Sequence, residues 1–169
     1  MRAVAQRVVS ASVTVDHEVI SSIGRGLLVL VGIGADDVQA DIDVLTKKIL
    51  TLRMWPDPAT DSAWKLNVKD IGGEILCVSQ FTLMANTTKG NKPDFHRAMG
   101  PESSRVMYES VLDKLRALYD PAKIKDGRFG AMMNVSLTND GPVTFTLDSR
   151  KAESAPPENP TALPDAGQP

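Results

Sequence analysis

The sequence predicts an α+β domain in which a mainly antiparallel, barrel-like sheet packs against two helices. Segments with strand character come first and last along the chain, and two helix-like segments lie between them. This order is not the regular strand–helix alternation of a parallel α/β fold. The sequence also has no glycine-rich phosphate loop of the dinucleotide or nucleotide type. Together these observations favour a packed antiparallel sheet over a doubly wound nucleotide-binding fold.

Strands are indicated by runs of β-branched residues and by apolar segments bounded by turn residues. The run at 26–34, GLLVLVGIG, is apolar throughout and bounded by glycines, which is typical of a strand buried on both faces. Late in the chain, Asn139-Asp140-Gly141 is expected to separate two final strands. The predicted strand segments, in chain order, are 3–15, 18–24, 26–34, 74–83, 130–138 and 142–148.

Two amphipathic helices are predicted between these strands. The first is expected to start from an N-cap at Asp36 or Asp37, because apolar residues then recur at helical spacing. The second is expected to begin at Pro101, a residue favoured in the first helical turn, and to run to about Tyr119. The apolar stripes consist of Val38, Ile42, Leu45, Ile49 and Leu52 in the first helix, and of Val111, Leu112, Leu115 and Leu118 in the second.

One folded domain over residues 1–150 is expected, followed by a flexible proline-rich tail over 151–169. The tail carries five of the eleven prolines and no aromatic residue, so it lacks the apolar surface that offsets the entropy of ordering a chain. Without the tail the chain has 18 basic and 18 acidic residues, and this neutral balance argues against a general DNA-binding protein. Any nucleic-acid contact is therefore expected to be small and local.

The composition favours a cytoplasmic protein without membrane contact. No apolar run approaches the roughly 18 residues that suggest a membrane span. The first residues also lack the uninterrupted apolar core of a secretory signal. The single cysteine, Cys77, excludes an internal disulfide and is expected to be a small buried hydrophobic residue.

The usual side-chain sets of catalytic and metal sites are missing from the sequence. Its two histidines, His17 and His96, are far apart, so with one cysteine no metal site is expected, and no cofactor motif is present. The G-x-S-x-G segment around the nucleophile of many serine hydrolases is also missing. If the protein is an enzyme, we therefore expect it to work without a dedicated acid–base side chain, a metal or a cofactor.

Two segments are candidates for such chemistry. The segment 79–83, SQFTL, places hydrogen-bonding residues in an apolar strand, where Gln80 and Thr82 would share one face. It is either a strand edge with polar residues facing solvent or a pocket wall where hydroxyls and backbone N–H groups meet a reacting ester. Gly141-Pro142 interrupts a strand-like segment, because proline has no N–H for a sheet ladder. That dipeptide is either a hairpin turn or a backbone element that contacts substrate.

These segments and several others closely resemble the D-aminoacyl-tRNA deacylase family. The similarity extends over nearly all of residues 1–148, and its combination of motifs is highly specific. The matching motifs are QRV at 6–8, the glycine-bounded strand from 26, SQFTL at 79–83, the KG-KPDF loop, GRFGAMM at 127–133 and NDGPVTF at 139–145.

The resemblance implies a cytosolic homodimeric hydrolase. Its substrate is the ester between a D-amino acid, or mischarged glycine, and the terminal adenosine of tRNA. It also implies a cis Gly141–Pro142 bond that is inserted across the dimer interface into the active site of the partner. There the Gly141 and Pro142 carbonyl oxygens would accept the substrate α-ammonium and leave no room for an L side chain, with Val143 and Thr144 beside them.

The resemblance assigns the catalytic segment to Ser79, Gln80, Phe81 and Thr82. We expect the backbone N–H groups of Phe81 and Thr82 to stabilise the oxyanion of the tetrahedral intermediate. Ser79 and Gln80 are expected to hold the terminal adenosine. A nucleophilic Thr82 hydroxyl is the second interpretation, because no base lies nearby in sequence to activate it. The 2′-hydroxyl of the tRNA ribose is expected to assist instead.

Other residues near these motifs each have two interpretations. Arg7 holds the Gly141-Pro142 loop in place or is a surface strand arginine. Phe129 lines the adenosine or ester pocket or packs in the core. The cations of the long loop contact acceptor-stem phosphates or are solvated charges; they are Lys89, Lys92 and Arg97.

Two other functions stay open from the sequence alone. A non-catalytic nucleic-acid-binding protein is the first, although the neutral domain argues against strong nonspecific binding. A structural scaffold is the second. Hydrolysis of matched D- and L-aminoacyl-tRNA distinguishes both from a deacylase.

Overall fold

The computed structural model describes residues 1–88 and 90–150, which form six strands, two α-helices and two short 3-10 helices. The predicted tail at 151–169 and the site residue Lys89 lie outside these described residues. The strands are β1 (Arg2–Val15), β2 (Glu18–Ile23), β3 (Gly26–Gly32), β4 (Glu74–Ser79), β5 (Ile124–Asp126) and β6 (Asn134–Asp148). The helices are α1 (Gln39–Thr51) and α2 (Pro101–Leu118), and the 3-10 helices are Phe81–Met84 and Pro121–Lys123.

The sheet is mixed, whereas the sequence predicted a mainly antiparallel one. β1 pairs antiparallel with β2, β3 and β6. β3 pairs parallel with β4, and β4 pairs parallel with β5. Parallel neighbours need a crossover connection, and α1 and α2 supply the two that this half of the sheet requires. The α+β class and the two packed helices are confirmed.

The long strand β1 organises a nearly closed barrel. One edge of β1 pairs with β6 along almost its whole length, from Arg2 opposite Asp148 to Thr14 opposite Asn134. The other edge is shared, with β3 beside residues 2–8 and β2 beside residues 11–15. β2 also approaches β4 and β5, which brings the two ends of the sheet together.

Two apolar clusters fill the space on either side of this sheet. The larger lies between the sheet and the two helices, and its central members include Leu27, Val29, Leu45, Ile75 and Leu115. The smaller fills the barrel interior with Val8, Ala11, Val13, Leu28, Leu76 and Val78. Because successive residues of β3 and β4 contribute to opposite clusters, both strands are buried on both faces, as predicted for the glycine-bounded run.

The first helix starts later than its predicted cap. Asp37 is buried and accepts hydrogen bonds from the Gly34 N–H (2.6 Å) and the Met1 α-ammonium (2.5 Å), so it does not cap α1. Asp41 in the first helical turn instead accepts from the Val38 N–H at 2.9 Å. Val38 is 57% exposed and lies outside the apolar stripe, as does the exposed Leu118 at the end of α2. No helix in the described part of the chain has the length and hydropathy of a membrane span.

Two predicted strands have different ends in the structure. β4 stops at Ser79, and Phe81–Met84 is a 3-10 turn rather than the end of a strand. Residues Asn134–Asp148 form one strand, β6, that pairs with β1. The sequence predicted two strands here, separated by a hairpin turn. Both differences fall on the candidate site.

Candidate active site

The carboxyl ends of the three parallel strands meet at one edge of the sheet. The segments that follow these strands leave the sheet at this edge. β4 is followed by the Phe81–Met84 turn and β5 by the loop 127–133. The end of the long loop joins them, since the Met99 N–H donates to the Ile33 carbonyl at 3.0 Å. We call this region the carboxyl edge.

The Phe81–Met84 turn is anchored to the sheet at both of its ends. The Gln80 N–H donates to the Val31 carbonyl of β3 at 2.7 Å, which is the last bond of the ladder. Arg2 Nη1 donates to the Leu83 carbonyl at 3.1 Å. Gly32 allows the turn to pass close by, because a Cβ at this position would lie 2.7 Å from Leu83 Cβ.

The turn exposes two backbone donors. The N–H groups of Phe81 and Thr82 have no acceptor among the described residues, as is usual for the first N–H groups of a helical turn. Both residues are exposed. Two adjacent free N–H groups on a fixed turn are suited to bind an oxyanion.

The polar side chains of the predicted segment do not alternate between two strand faces as expected. Gln80 Nε2 donates to Thr82 Oγ1 at 2.5 Å, so these side chains are hydrogen-bonded neighbours across the turn. Ser79 is half-buried at the end of β4. The Phe81 ring is 58% exposed and meets the Phe95 ring edge-on at 5.0 Å. The structure therefore brings the four residues of the predicted catalytic segment together around one exposed turn.

Gly141-Pro142 lies in a bulge of β6, and its peptide bond is cis. Gln6 of β1 pairs with Thr144, and Val8 pairs with Asn139, so the four residues 140–143 stand opposite Arg7 alone. An insertion of this kind extrudes backbone from a strand without ending it. Gly141 has a φ of 117°, and a Cβ there would lie 2.8 Å from Val143 Cγ2. Only glycine fits this position without strain.

The bulge is held by three side chains. Asn139 Nδ2 donates to the Arg7 carbonyl at 2.8 Å and to the Val143 carbonyl at 3.1 Å, so one amide joins both sides of the bulge. Thr144 Oγ1 donates to Asn139 Oδ1 at 3.3 Å. Arg7 Nε lies 3.0 Å from Asp140 Oδ2 as an ion pair without hydrogen-bond alignment, and Arg7 Nη1 donates to the Met54 carbonyl. The structure thus places Arg7 beside the loop it was predicted to hold.

The bulge and the Phe81–Met84 turn of one chain lie far apart. Arg2 contacts the turn, whereas Arg7 contacts the bulge. Five residues of extended strand separate these contacts, which is about 17 Å at 3.4 Å per residue. The turn and the bulge are therefore held by points of β1 about 17 Å apart.

Phe129 lies at the carboxyl edge, in the loop after β5. Its ring packs on the Tyr108 ring with centroids 5.8 Å apart. The Arg105 guanidinium covers the ring at 4.8 Å from its centroid. Phe129 also packs against the larger apolar cluster. It therefore lies at the carboxyl edge and against the core at the same time. Among the cations of the long loop, Lys92 and Arg97 are exposed.

Comparison with known proteins identifies the family. The sequence model of the family described as D-Tyr-tRNA(Tyr) deacylase matches residues 4–148. The chain belongs to the D-Tyr-tRNA(Tyr) deacylase family. A D-aminoacyl-tRNA deacylase of Saccharomyces cerevisiae is 54% identical over 88% of this chain and 99% of that protein. D-aminoacyl-tRNA deacylase 1 of Leishmania major is 52% identical over 89% of this chain and 99% of its own.

Two solved structures share the fold of this chain. One described as a c-Myc DNA unwinding element binding protein has a TM-score of 0.86 and 52% identity, and it covers 89% of this chain and 100% of its own. Another, described as a probable eukaryotic D-amino acid tRNA deacylase, has a TM-score of 0.75 at 16% identity over 87% of this chain. The latter shows the fold alone. The resemblance inferred from the sequence motifs is confirmed, and the protein is an enzyme of the deacylase family.

The buried titratable groups of this deacylase-family chain lie beneath the carboxyl edge. Burial raises the pKa of the Cys77 thiol to about 12, so the thiol stays protonated and unreactive, as expected for a core residue. Burial also raises the pKa of Asp126, against the opposing effect of the Tyr108 hydroxyl, which donates to Asp126 Oδ1 at 2.6 Å. Neither group is placed to act as a free nucleophile.

Sequence reasoning missed several residues that support the candidate segments. Asn139 was assigned only to a turn, although an Asn directly before Asp-Gly-Pro in a strand is a signal for side-chain bonds to nearby backbone. Arg2, Arg105 and Tyr108 had no local signal, because each contact joins elements distant in sequence.

Proposed function

We propose that the protein hydrolyses the ester of D-aminoacyl-tRNA and of glycine mischarged on tRNA, releasing the amino acid and free tRNA. The observation that carries this proposal is the pair of free N–H groups on the Phe81–Met84 turn. Family membership and the names of relatives at about half identity support the substrate class. We place the reaction in the cytoplasm, where aminoacyl-tRNA is used.

The two N–H groups stabilise the tetrahedral oxyanion formed when water attacks the ester carbonyl. Preorganised donors of this kind contribute on the order of 3–4 kcal/mol each to the transition state. An aminoacyl ester is already reactive, so stabilisation and a positioned water are sufficient. The 2′-hydroxyl of the terminal ribose assists the water, because no side-chain base contacts Thr82 within the described residues. Ser79 and Gln80 hold the adenosine.

Gly141 and Pro142 form the chirality filter of this mechanism. Both residues are exposed at the tip of a bulge whose base is fixed by Asn139 and Arg7. Main-chain carbonyl oxygens accept the substrate α-ammonium, and the backbone occupies the space of an L side chain. Val143 and Thr144 support the bulge from below. Glycine passes this filter because it has no side chain.

The filter acts in trans, within a homodimer. The bulge of one chain is about 17 Å along β1 from its own Phe81–Met84 turn. A second copy brings its bulge to this turn, and a two-fold arrangement completes both sites at once. Exposed aromatic rings at Phe81 and Trp64 provide apolar surface of the kind that such an interface covers.

The acceptor stem approaches across the long loop. Lys92 and Arg97 are exposed there and contact backbone phosphates, and by sequence Lys89 belongs to the same group.

Incubation with matched D- and L-aminoacyl-tRNA tests the activity. We expect rapid loss of the D-ester and of glycyl-tRNA, with the L-ester untouched. If none of these esters is lost, the protein is not a deacylase. Phosphate-dependent binding without hydrolysis would instead favour a non-catalytic nucleic-acid-binding protein, the function that the name of one similar structure suggests for that protein.

Replacement of Phe81 tests the oxyanion site. Phe81→Pro removes a backbone N–H at the first position of the turn, where proline is well tolerated. Phe81→Ala is the matched control, because it loses the ring but keeps the N–H. We expect the proline variant to lose about 100-fold more kcat than the alanine variant. Thr82→Ala should retain activity; loss of turnover with intact tRNA binding would show that the hydroxyl is the nucleophile.

A further inference from the structure

Arg105 is an exposed cation without a carboxylate partner among the described residues. Its guanidinium lies over the Phe129 ring at 4.8 Å from the centroid. By contrast, Arg116 on the same helix pairs with Asp113 at 3.1 Å. Stacking on an aromatic ring leaves the N–H groups at the rim of the guanidinium plane free to donate.

The ring beneath Arg105 is firmly held. Phe129 packs on Tyr108, which is 2% exposed. The Tyr108 hydroxyl donates to Asp126 Oδ1 at 2.6 Å, which ties α2 to the end of β5. The Gly127 N–H donates to the Cys77 carbonyl of β4 at 3.0 Å, so the loop that carries Phe129 is fixed to the sheet. The guanidinium therefore rests on a preorganised platform and not on a mobile side chain.

This platform lies at the carboxyl edge, the edge of the sheet that also carries the Phe81–Met84 turn. β4 and β5 are parallel neighbours, and Cys77 pairs with Asp126, so the segments that follow these two residues leave the sheet side by side. Arg105 projects from the beginning of α2, directly after the loop segment that bonds to Ile33 of β3. Arg105 and the Phe81–Met84 turn therefore belong to the same edge of the sheet.

We propose that Arg105, held on Phe129, binds a backbone phosphate at the acceptor end of the tRNA. This inference rests on the proposed function, because it takes the substrate to be an aminoacyl-tRNA. The amino-acid carboxyl is esterified in that substrate, so phosphates are its only anions. A planar guanidinium with free rim donors matches the geometry of a phosphate, and it binds two oxygens at once. Arg105 is thus a positioning residue for the RNA and takes no part in bond cleavage.

Salt dependence of binding to uncharged tRNA tests the phosphate contact without any hydrolysis. We expect Arg105→Ala to weaken binding roughly 3- to 10-fold at low salt. The slope of log K against log salt should fall by about 0.7–0.9, the value for one phosphate. Arg116→Ala is the matched control and should change neither quantity. An unchanged slope in Arg105→Ala would overturn the proposal.

Hydrolysis of two substrates separates this proposal from the proposed function. D-aminoacyl-adenosine has the ester and the base but no phosphate, whereas D-aminoacyl-tRNA has all three. We expect Arg105→Ala to raise KM for the tRNA substrate, and Arg105→Lys to recover only part of the loss because it lacks the planar fork. Equal losses on both substrates would show a general structural effect and overturn the proposal. If the wild type hydrolyses neither ester, the proposed function fails, while the salt slope still decides whether Arg105 binds phosphate.

Discussion

At the scale of single residues, the Asn139 side chain replaces two backbone hydrogen bonds of the strand pair. Its side-chain amide donates to carbonyls on both sides of the bulge, at Arg7 and at Val143. Backbone N–H groups would satisfy these carbonyls in a regular strand pair, but the bulge removes that pairing. The Asn139 amide therefore joins the two ends of the bulge that carries Gly141-Pro142.

Replacement of Asn139 by alanine is expected to loosen the bulge. Two part-buried carbonyls lose their donor, so the free energy of unfolding should fall by about 1–3 kcal/mol in urea denaturation. Rejection of L-aminoacyl-tRNA should weaken at the same time. Asn134→Ala, at the exposed first residue of β6, is the matched control and should alter neither. Full stability and selectivity in Asn139→Ala would contradict this account.

Asp126 gives the stability of the fold a pH dependence. Burial raises the pKa of its carboxyl in the folded state, while the unfolded value is about 3.9. The native state then binds more protons between these two values, so stability is greatest below the unfolded pKa and decreases as pH rises through the folded pKa.

Asp126→Asn should remove this decline, since the amide does not titrate. Urea denaturation at several pH values above 4 measures the effect as a flatter curve in the variant. Asp113→Asn, a change at an exposed carboxylate of α2, should keep the wild-type shape. A variant curve with the wild-type slope would assign the decline to other groups.

At the scale of elements, Gly32 sets how closely the Phe81–Met84 turn approaches β3. An added Cβ would meet Leu83 Cβ at 2.7 Å and the Gln80 carbonyl at 3.0 Å. The Leu83 side chain and the Gln80 backbone have little room to move away from this Cβ, so the turn itself must move.

Gly32→Ala is therefore expected to shift the two free N–H groups and lower kcat by 10-fold or more, since misplacement by about 1 Å costs on the order of 100-fold. Overpacking should also reduce stability by about 1–3 kcal/mol. Gly100→Ala is the control, because a Cβ there meets nothing within 4 Å. Deacylation assays and thermal melting of both variants measure these effects. Equal activities of Gly32→Ala and Gly100→Ala would show that the turn is not sensitive to this contact.

The elements also show what the sequence was able to predict. Both α-helices were found because apolar stripes repeat locally, and the later start of α1 reflects long-range bonds of Asp37. The continuity of β6 was missed, since Gly141-Pro142 has the local signature of a turn and only pairing with β1 overrides it. The 3-10 turn was missed because SQFTL continues an apolar run, while the ladder that would keep it extended ends at Val31.

Local motifs could name the candidate site residues, and their roles stay a prediction. Motifs identified the Phe81–Thr82 segment, the Gly141-Pro142 bulge and its neighbour Arg7. In the structure the first two are exposed, and Arg7 lies beside the bulge. Arg105, Tyr108 and Asp126 could not be predicted, because their contacts depend on how α2 lies over β5.

At the scale of the whole molecule, the proposed homodimer predicts a result of subunit exchange. Gly141→Ala should damage the filter, because Cβ would lie 2.8 Å from Val143 Cγ2 at a φ of 117°. Such a variant hydrolyses L-aminoacyl-tRNA. Phe81→Pro is expected to have a strongly impaired oxyanion site but an intact bulge.

Mixing Gly141→Ala with an excess of Phe81→Pro distinguishes the two arrangements. If the bulge acts in trans, heterodimers place an intact filter on the working site, and L-ester hydrolysis should fall while D-ester hydrolysis persists. If it acts in cis, L-ester hydrolysis per working site should not change. Light scattering of the mixture verifies that the species remain dimers.

The pairing of β1 with β6 has a further consequence for the order of events during synthesis. The first strand to leave the ribosome finds its longest partner only in the last, since Arg2 pairs with Asp148. Until residue 148 emerges, one whole edge of β1 has no hydrogen-bonding partner and is open to pairing with other chains. Closure of a loop of this length is slow compared with helix formation. The barrel is therefore completed in a late step, when the residues of β6 have become available to pair with β1.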